Sequence, residues 1–117
     1  ADAEAARVYK KFSETRQEPV KMATALWGFF LKDGITPSQK QEFSAYLKPR
    51  VRNAVETLIE EDEPEKIEVL EQMGWFGQKE LEDFIKIARE RQKIQALVYL
   101  MKQKDSKYGY QEEEFEL

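Results

Sequence analysis

Apolar side chains recur three and four positions apart along most of this sequence, and no comparable stretch alternates with period two. That spacing puts one apolar stripe on each of a series of helices. The first candidate helix runs from about Ala3 to Thr15, with Val8 and Phe12 one turn apart. A second opens at Pro19, which suits the first helical position because an N–H there would have no partner anyway. Its inward stripe is Val20, Ala23, Leu26, Trp27 and Phe30. Gly34 is expected to end it as a left-handed C′ residue, with Ile35 packing back on Phe30. Thr36-Pro37-Ser38-Gln39 reads as a start signal, in which Thr36 and Gln39 form a capping box.

This third helix carries Phe43, Tyr46 and Leu47 and yields near Pro49. A fourth runs from Pro49 to about Glu61 with Val51, Ala54, Val55, Leu58 and Ile59 inward. Pro64 opens a fifth with Ile67, Val69, Leu70 and Met73 inward, stopped by Gly74. The sixth covers Gln78 to about Arg91 through Leu81, Phe84, Ile85 and Ala88. The seventh runs from about Lys93 to Lys104 through Ile94, Leu97, Val98, Leu100 and Met101. The expected class is all-α, with six or seven short helices.

The last four helices suggest a repeat. Val55, Leu58 and Ile59 match Leu81, Phe84 and Ile85 at an offset of 26, and Ile67, Val69, Leu70 and Met73 match Ile94, Ala96, Leu97 and Leu100 at 27. Two stacked antiparallel hairpins read this way. The competing reading is that any two amphipathic hairpins align when offsets float. On these residues, Asn53 to Lys104 resembles a degenerate ankyrin-type array of paired short helices. It lacks the Thr-Pro-Leu-His tetrapeptide and the Gly-Ala-Asp loop, and its period is below the usual ~33. The stretch from Val98-Tyr99-Leu100-Met101 to Tyr110 also resembles the C-terminal helical domains of uncharacterised bacterial proteins. Both resemblances imply a protein-interaction scaffold and bring no catalytic residue with them. The expected organisation is one helical domain. Residues 1–48 close one end, 49–109 form the hairpins, and 110–117 are an acidic tail that dangles, folds back over the last hairpin or serves as a partner motif.

Composition narrows the chemistry. The 117 residues contain neither cysteine nor histidine, so disulfides, thiolate nucleophiles, Ser-His-Asp triads and imidazole–metal sites are excluded. A cysteine-free chain fits a reducing, cytoplasmic setting. The most apolar run, from Met22 to Leu31, is half the length of a membrane span. Opening on Ala1 without a methionine, the sequence reads as a domain excised from a longer protein. A net charge of −4 argues against a dedicated nucleic-acid binder. No cofactor or metal is expected, and nothing singles out a catalytic pair among the 23 acids, so no enzymatic activity is expected.

Several groups carry both a functional and a structural reading. Trp75 and Phe76 could anchor a partner. The turn is the simpler account and the preferred one: with Gly74 at C′, Trp75 covers Leu70, while Phe76 staples onto Leu81 across a Gly77 N-cap with Glu80 in the capping box. Trp27 and Phe30 belong to the inward stripe, Gly28 admits a close helix and Phe29 lies off the stripe; core packing is the preferred reading of the group, and a surface groove lined by Phe29 the functional alternative. Residues 56–71 hold eight acids against Lys66. Residues 86–107 hold seven bases (Lys86, Arg89, Arg91, Lys93, Lys102, Lys104, Lys107) against Glu90 and Asp105. Solvated helix faces are the default for both runs. The bases could instead grip phosphates, with Tyr99 and Tyr108 available for stacking.

The function expected is a protein–protein interaction or scaffolding module. Its partner is a protein, including other domains of the same chain, and no membrane is involved. The alternative is a nucleic-acid accessory domain using Lys86–Lys107. In stacked hairpins the concave side is lined by outward positions of each first helix. The candidate partner-binding residues are therefore Thr57, Glu60, Glu61, Asp83, Lys86 and Arg89.

Overall fold

Prolines and left-handed residues set most of the element bounds. The computed structural model describes residues 2–108, with side chains from 3 to 107; the expectations for the 110–117 tail and for Tyr108 stacking lie outside the described side chains. Seven α-helices follow one another, with no strand among the described residues: α1 (Asp2–Glu14), α2 (Glu18–Phe30), α3 (Pro37–Leu47), α4 (Val51–Glu60), α5 (Pro64–Gln72), α6 (Gln78–Glu90) and α7 (Ile94–Gln103). A 3₁₀ turn at Lys48–Arg50 accommodates Pro49 between α3 and α4, and a π turn at Lys104–Tyr108 continues α7. None of the described helices is long and apolar enough to cross a membrane. The chain divides into two compact units, Ala1–Ala54 and Val55–Leu117, with the division inside α4.

In the first unit, α2 packs on both α1 and α3. The capping box at the start of α3 forms as the spacing predicts: the Gln39 N–H donates to Thr36 Oγ1 and the Thr36 N–H donates to Gln39 Oε1, each at 3.0 Å. The inward stripe of α2 is corrected. Met22, Ala25, Leu26 and Phe29 are buried, whereas Ala23 is exposed and Trp27 is 49% exposed. Both sets satisfy helical spacing because this run is apolar almost all round, so periodicity alone could not choose between them. Phe29 therefore lines no surface groove. Trp27 leans on the outside of α1, its indole N–H donating to Glu4 Oε2 at 2.9 Å.

The α2 terminus is corrected as well. The helix ends at Phe30 with Leu31 extended, and the positive φ of 88° at Gly34 serves an Asp33-Gly34 loop turn three residues further on. Gly28 does admit a close helix: a Cβ there would run into the ring of Phe43 on α3. Phe43 is fully buried, with Phe12 meeting it edge-on at 4.9 Å between ring centroids and Tyr9 at 6.1 Å.

The second unit is organised by three helix ends of one kind. At the end of α5 the Gly74 N–H donates to the Glu71 carbonyl and the Trp75 N–H to the Leu70 carbonyl, with Gly74 at φ 77°. This is the Schellman pattern that the Gly74-Trp75 spacing predicts. The same pair of bonds ends α4, from Asp62 to Ile59 and Glu63 to Leu58, and ends α6, from Gln92 to Arg89 and Lys93 to Ala88. Asp62 and Gln92 take φ of 56° and 57°, a left-handed conformation uncommon for residues with a Cβ.

Asp62 and Gln92 stand thirty positions apart, as do the buried pairs Ala54/Phe84, Val55/Ile85, Leu58/Ala88 and Leu70/Leu100. The sequence offsets of 26 and 27 fall short of this by about one helical turn, a slip that a 3.6-residue period tolerates.

Gly77 precedes α6 as expected, its N–H donating to Glu80 Oε1 at 2.8 Å. Phe76 is buried edge-on against Phe84 at 5.1 Å, so it serves the turn and the core, and Trp75 is half-buried beside it.

Two outcomes follow for the first unit. Gly28→Ala gains up to about 1 kcal/mol of helix propensity but drives a methyl into a ring with no room to yield, and such overpacking costs ~1–3 kcal/mol. A net loss of stability in urea melts is expected, and relieved by Phe43→Leu in the same chain. Burial and the hydrogen bond it donates to Glu18 Oε1 (2.7 Å) push the Tyr46 hydroxyl up from 10.0 to about 12. The folded state then holds this proton more tightly than the unfolded state. The associated stability is full below pH 10 and declines as pH rises toward 12, a decline that Tyr46→Phe should flatten in melts across that window.

Candidate functional site

α5 and α7 lie side by side and run in the same direction. Asp62, just before α5, reaches the start of α7, where its carboxylate accepts the Ala96 N–H at 2.8 Å. Near the other ends, Glu71 of α5 accepts hydrogen bonds from Tyr99 and Gln103 of α7. The Asp62 contact is a cap supplied from a neighbouring turn: Lys93, at the local N-cap position, makes no side-chain cap, and a carboxylate at a helix N-terminus is favoured by the helix dipole.

Between these two ties the helices diverge into a groove of about 460 Å³, lined by Pro64, Glu65, Glu68, Ile94, Gln95, Val98, Tyr99 and Lys102. Its apolar wall is α7. Ile94 is 60% exposed and Val98 47%, with Met101 one turn on also exposed. This corrects the seventh helix, whose stripe was expected to face inward. Ala96 and Leu100 are the buried positions of α7, and Ile94, Val98 and Met101 lie on the opposite side. The helix is apolar on two faces, so its pattern does not say which one is covered. Val69 and Met73 of α5, also expected inward, are exposed.

What replaces them on the inner side of α5 is a charge. Glu71 is buried beside Ile67 and Leu70, although its place in an acidic run suggested a solvated face. Its Oε1 accepts from the Tyr99 hydroxyl at 2.6 Å and from Gln103 Nε2 at 3.0 Å, and Lys107 Nζ stands 3.7 Å from Oε2. Gln103 also donates to the Tyr99 hydroxyl at 3.1 Å. Burial and the bond to Glu71 push the Tyr99 hydroxyl well above its ordinary 10.0. Lys107 lies in the π turn at Lys104–Tyr108, from which its ammonium reaches Glu71 of α5. No sequence signal separates Glu71 from its acidic neighbours except its place beside Ile67 and Leu70 on one helical arc.

The six sequence-predicted positions fall on α4, its following turn, and α6. Thr57 is half-buried, whereas Glu60, Glu61, Asp83, Lys86 and Arg89 are exposed. Glu60 is brought to two bases outside that set, Arg91 at 3.2 Å and Lys93 at 3.5 Å. Loss of hydration, followed by a hydrogen bond with Glu63, pushes the Glu61 carboxyl up. Arg89 lines a smaller hollow of about 220 Å³ with Glu82, Ile85, Met101, Lys104 and Asp105. Neither hollow is lined by Thr57, Glu60, Glu61, Asp83 or Lys86. Four of the seven clustered bases face carboxylates: Arg91 and Lys93 on Glu60, Lys104 on Glu82 and Lys107 on Glu71. No group of carboxylates suited to hold a metal ion occurs among the described residues.

The chain matches no protein-family model, no curated protein and no solved structure.

The Glu71 cluster gives a stability test. Removing the carboxylate in Glu71→Ala leaves the Tyr99 hydroxyl without its acceptor and Gln103 with only the Tyr99 oxygen, and a buried polar group stranded in this way costs ~1–3 kcal/mol. Urea denaturation should show a loss of that size. Tyr99→Phe in the same chain should remove part of the penalty, because one stranded donor disappears.

Proposed function

We propose that this chain is a protein–protein interaction module and that its principal contact surface is the groove between α5 and α7. The observation that carries this reading is the pair Ile94 and Val98, both about half exposed or more on one wall of a single groove. Large apolar side chains grouped in this way are characteristic of binding surfaces, whereas singly scattered ones are ordinary. Glu65, Glu68, Gln95, Tyr99 and Lys102 around them supply a polar rim, the usual anatomy of a protein interface.

The helical-hairpin architecture supports the same reading. Two tight left-handed turns thirty positions apart suit an ankyrin-type array, in which stacked pairs present surfaces to partners. Within that proposal, Thr57, Glu60, Glu61, Asp83, Lys86 and Arg89 form a polar second surface that steers a partner by charge and adds modest affinity. Other domains of a larger parent protein are suitable partners. The nucleic-acid alternative draws less support, because Arg91, Lys93, Lys104 and Lys107 already have carboxylates beside them.

A photo-crosslinking amino acid placed at position 98, and in a second variant at position 86, compares the two surfaces in cells. A discrete protein adduct from position 98 is expected, and it should survive a salt rise that would strip phosphate-held nucleic acid. Adducts from position 86 alone would move the interface to α6, and none from either position would sink the interaction reading. Charge reversal at Lys86 and Arg89 together should slow association while leaving the melting temperature within ordinary surface-mutation limits.

A further inference from the structure

We infer that the α5/α7 groove is filled by the same groove of a second copy of this chain, the two related by a twofold axis passing beside Val98. The inference rests on reading the groove as an interaction surface and adds what occupies it. An isologous interface must be complementary to itself, residue i meeting j and j meeting i. The groove has that property.

Because α5 and α7 run in the same direction, Pro64, Glu65, Ile94 and Gln95 stand at one end of the groove and Lys102 at the other, with Val98 midway. One end carries the acid Glu65 and the other the base Lys102, with a second acid, Glu68, between them. Among the described residues neither Glu65 nor Lys102 enters an ion pair or hydrogen bond with another side chain, while Lys93, Lys104 and Lys107 nearby are all taken up.

Ile94 and Lys102 are two turns apart on α7, about 12 Å at 1.5 Å per residue, with Val98 halfway. When a second α7 is laid antiparallel across the first at Val98, the partner's Lys102 arrives beside Ile94 and Gln95, next to Glu65. By the same symmetry, Lys102 meets the partner's Glu65. The exposed Val98 side chains meet at the axis and each Ile94 closes on the stem of the opposing lysine, an apolar chain long enough to cover it. A parallel pairing would put Glu65 on the partner's Glu65 and Lys102 on the partner's Lys102, and like charges set against each other are disfavoured. Electrostatics therefore selects the antiparallel pairing, and the apolar wall supplies its affinity.

Sedimentation velocity on the full chain tests this over a roughly hundredfold concentration range, wide enough to follow a weak monomer–dimer equilibrium. Wild type should shift from monomer toward dimer as concentration rises. Val98→Asp should stay monomeric with an unchanged melt, since the site is half exposed. Lys102→Glu and Glu65→Lys should each weaken dimerisation by about tenfold, and the chain carrying both should regain it to within about threefold.

Failure of rescue in the double variant, or a dimer that survives Val98→Asp, would overturn the pairing. So would a wild type that remains monomeric throughout. In that case the position-98 crosslinker separates the remaining occupants: an adduct to a different protein leaves the interaction reading standing without self-association, an adduct to 109–117 within one chain names the tail, and no adduct removes both readings.

Discussion

The second unit depends on how its helices stop. Three successive helices end with one residue in the left-handed region, at Asp62, Gly74 and Gln92, and each time the next N–H reaches back five residues to a carbonyl of the preceding helix. That closure satisfies carbonyls a helix end would otherwise leave open and joins the helices through three to five residues. Only at Gly74 is the conformation free of Cβ strain. At Asp62 the side chain is also put to use, because the turn carries its carboxylate to the Ala96 N–H and caps the start of α7. The direction of α7 along α5, and so the existence of a groove between them, follows from these turns.

Polar contacts tie α5 to α7 on either side of the groove. Asp62 ties one end, and Glu71 with Tyr99 and Gln103 ties the other. A buried carboxylate tolerates little disorder around it, since each acceptor position left empty is costly in a low-dielectric setting. Glu71 Oε1 is met by Tyr99 and Gln103 of α7, while Oε2 has only the Lys107 ammonium at 3.7 Å. With Ala96 and Leu100 turned inward, Ile94, Val98 and Met101 have no inner surface to cover. Their exposure is a geometric result of that orientation.

The first unit solves a different problem, with aromatic residues. Phe12, Phe43 and Tyr46 meet edge-on at 4.9 and 5.6 Å, and Lys21 lays its ammonium 4.4 Å from the Phe12 ring centroid while donating to the Phe12 carbonyl. Rings this bulky fit between helices only if one helix gives up a side chain, and Gly28 does so opposite Phe43. The glycine that weakens α2 as an isolated helix is what lets α3 approach it.

Local chemistry in the sequence determined the all-α class, the element bounds near Pro19, Pro37 and Pro64, the Thr36–Gln39 capping box, the Schellman turn at Gly74 and the structural part played by Phe76. Each of those features is decided by residues within a few positions of one another. The sequence could not choose between two faces of a helix apolar on both. Trp27 was therefore expected on the inner stripe and Phe29 off it, and Ile94, Val98 and Met101 were expected in the core. Nor could it separate the thirty-residue spacing of the Asp62 and Gln92 turns from alignments one helical turn shorter, because the apolar pattern repeats every turn. Glu71 was hidden for a related reason: a carboxylate in an acidic run looks solvated until Tyr99, Gln103 and Lys107, some thirty residues away, are placed around it. Those choices belong to the tertiary structure, where contacts distant in the chain compete for the same face and the better-satisfied arrangement wins.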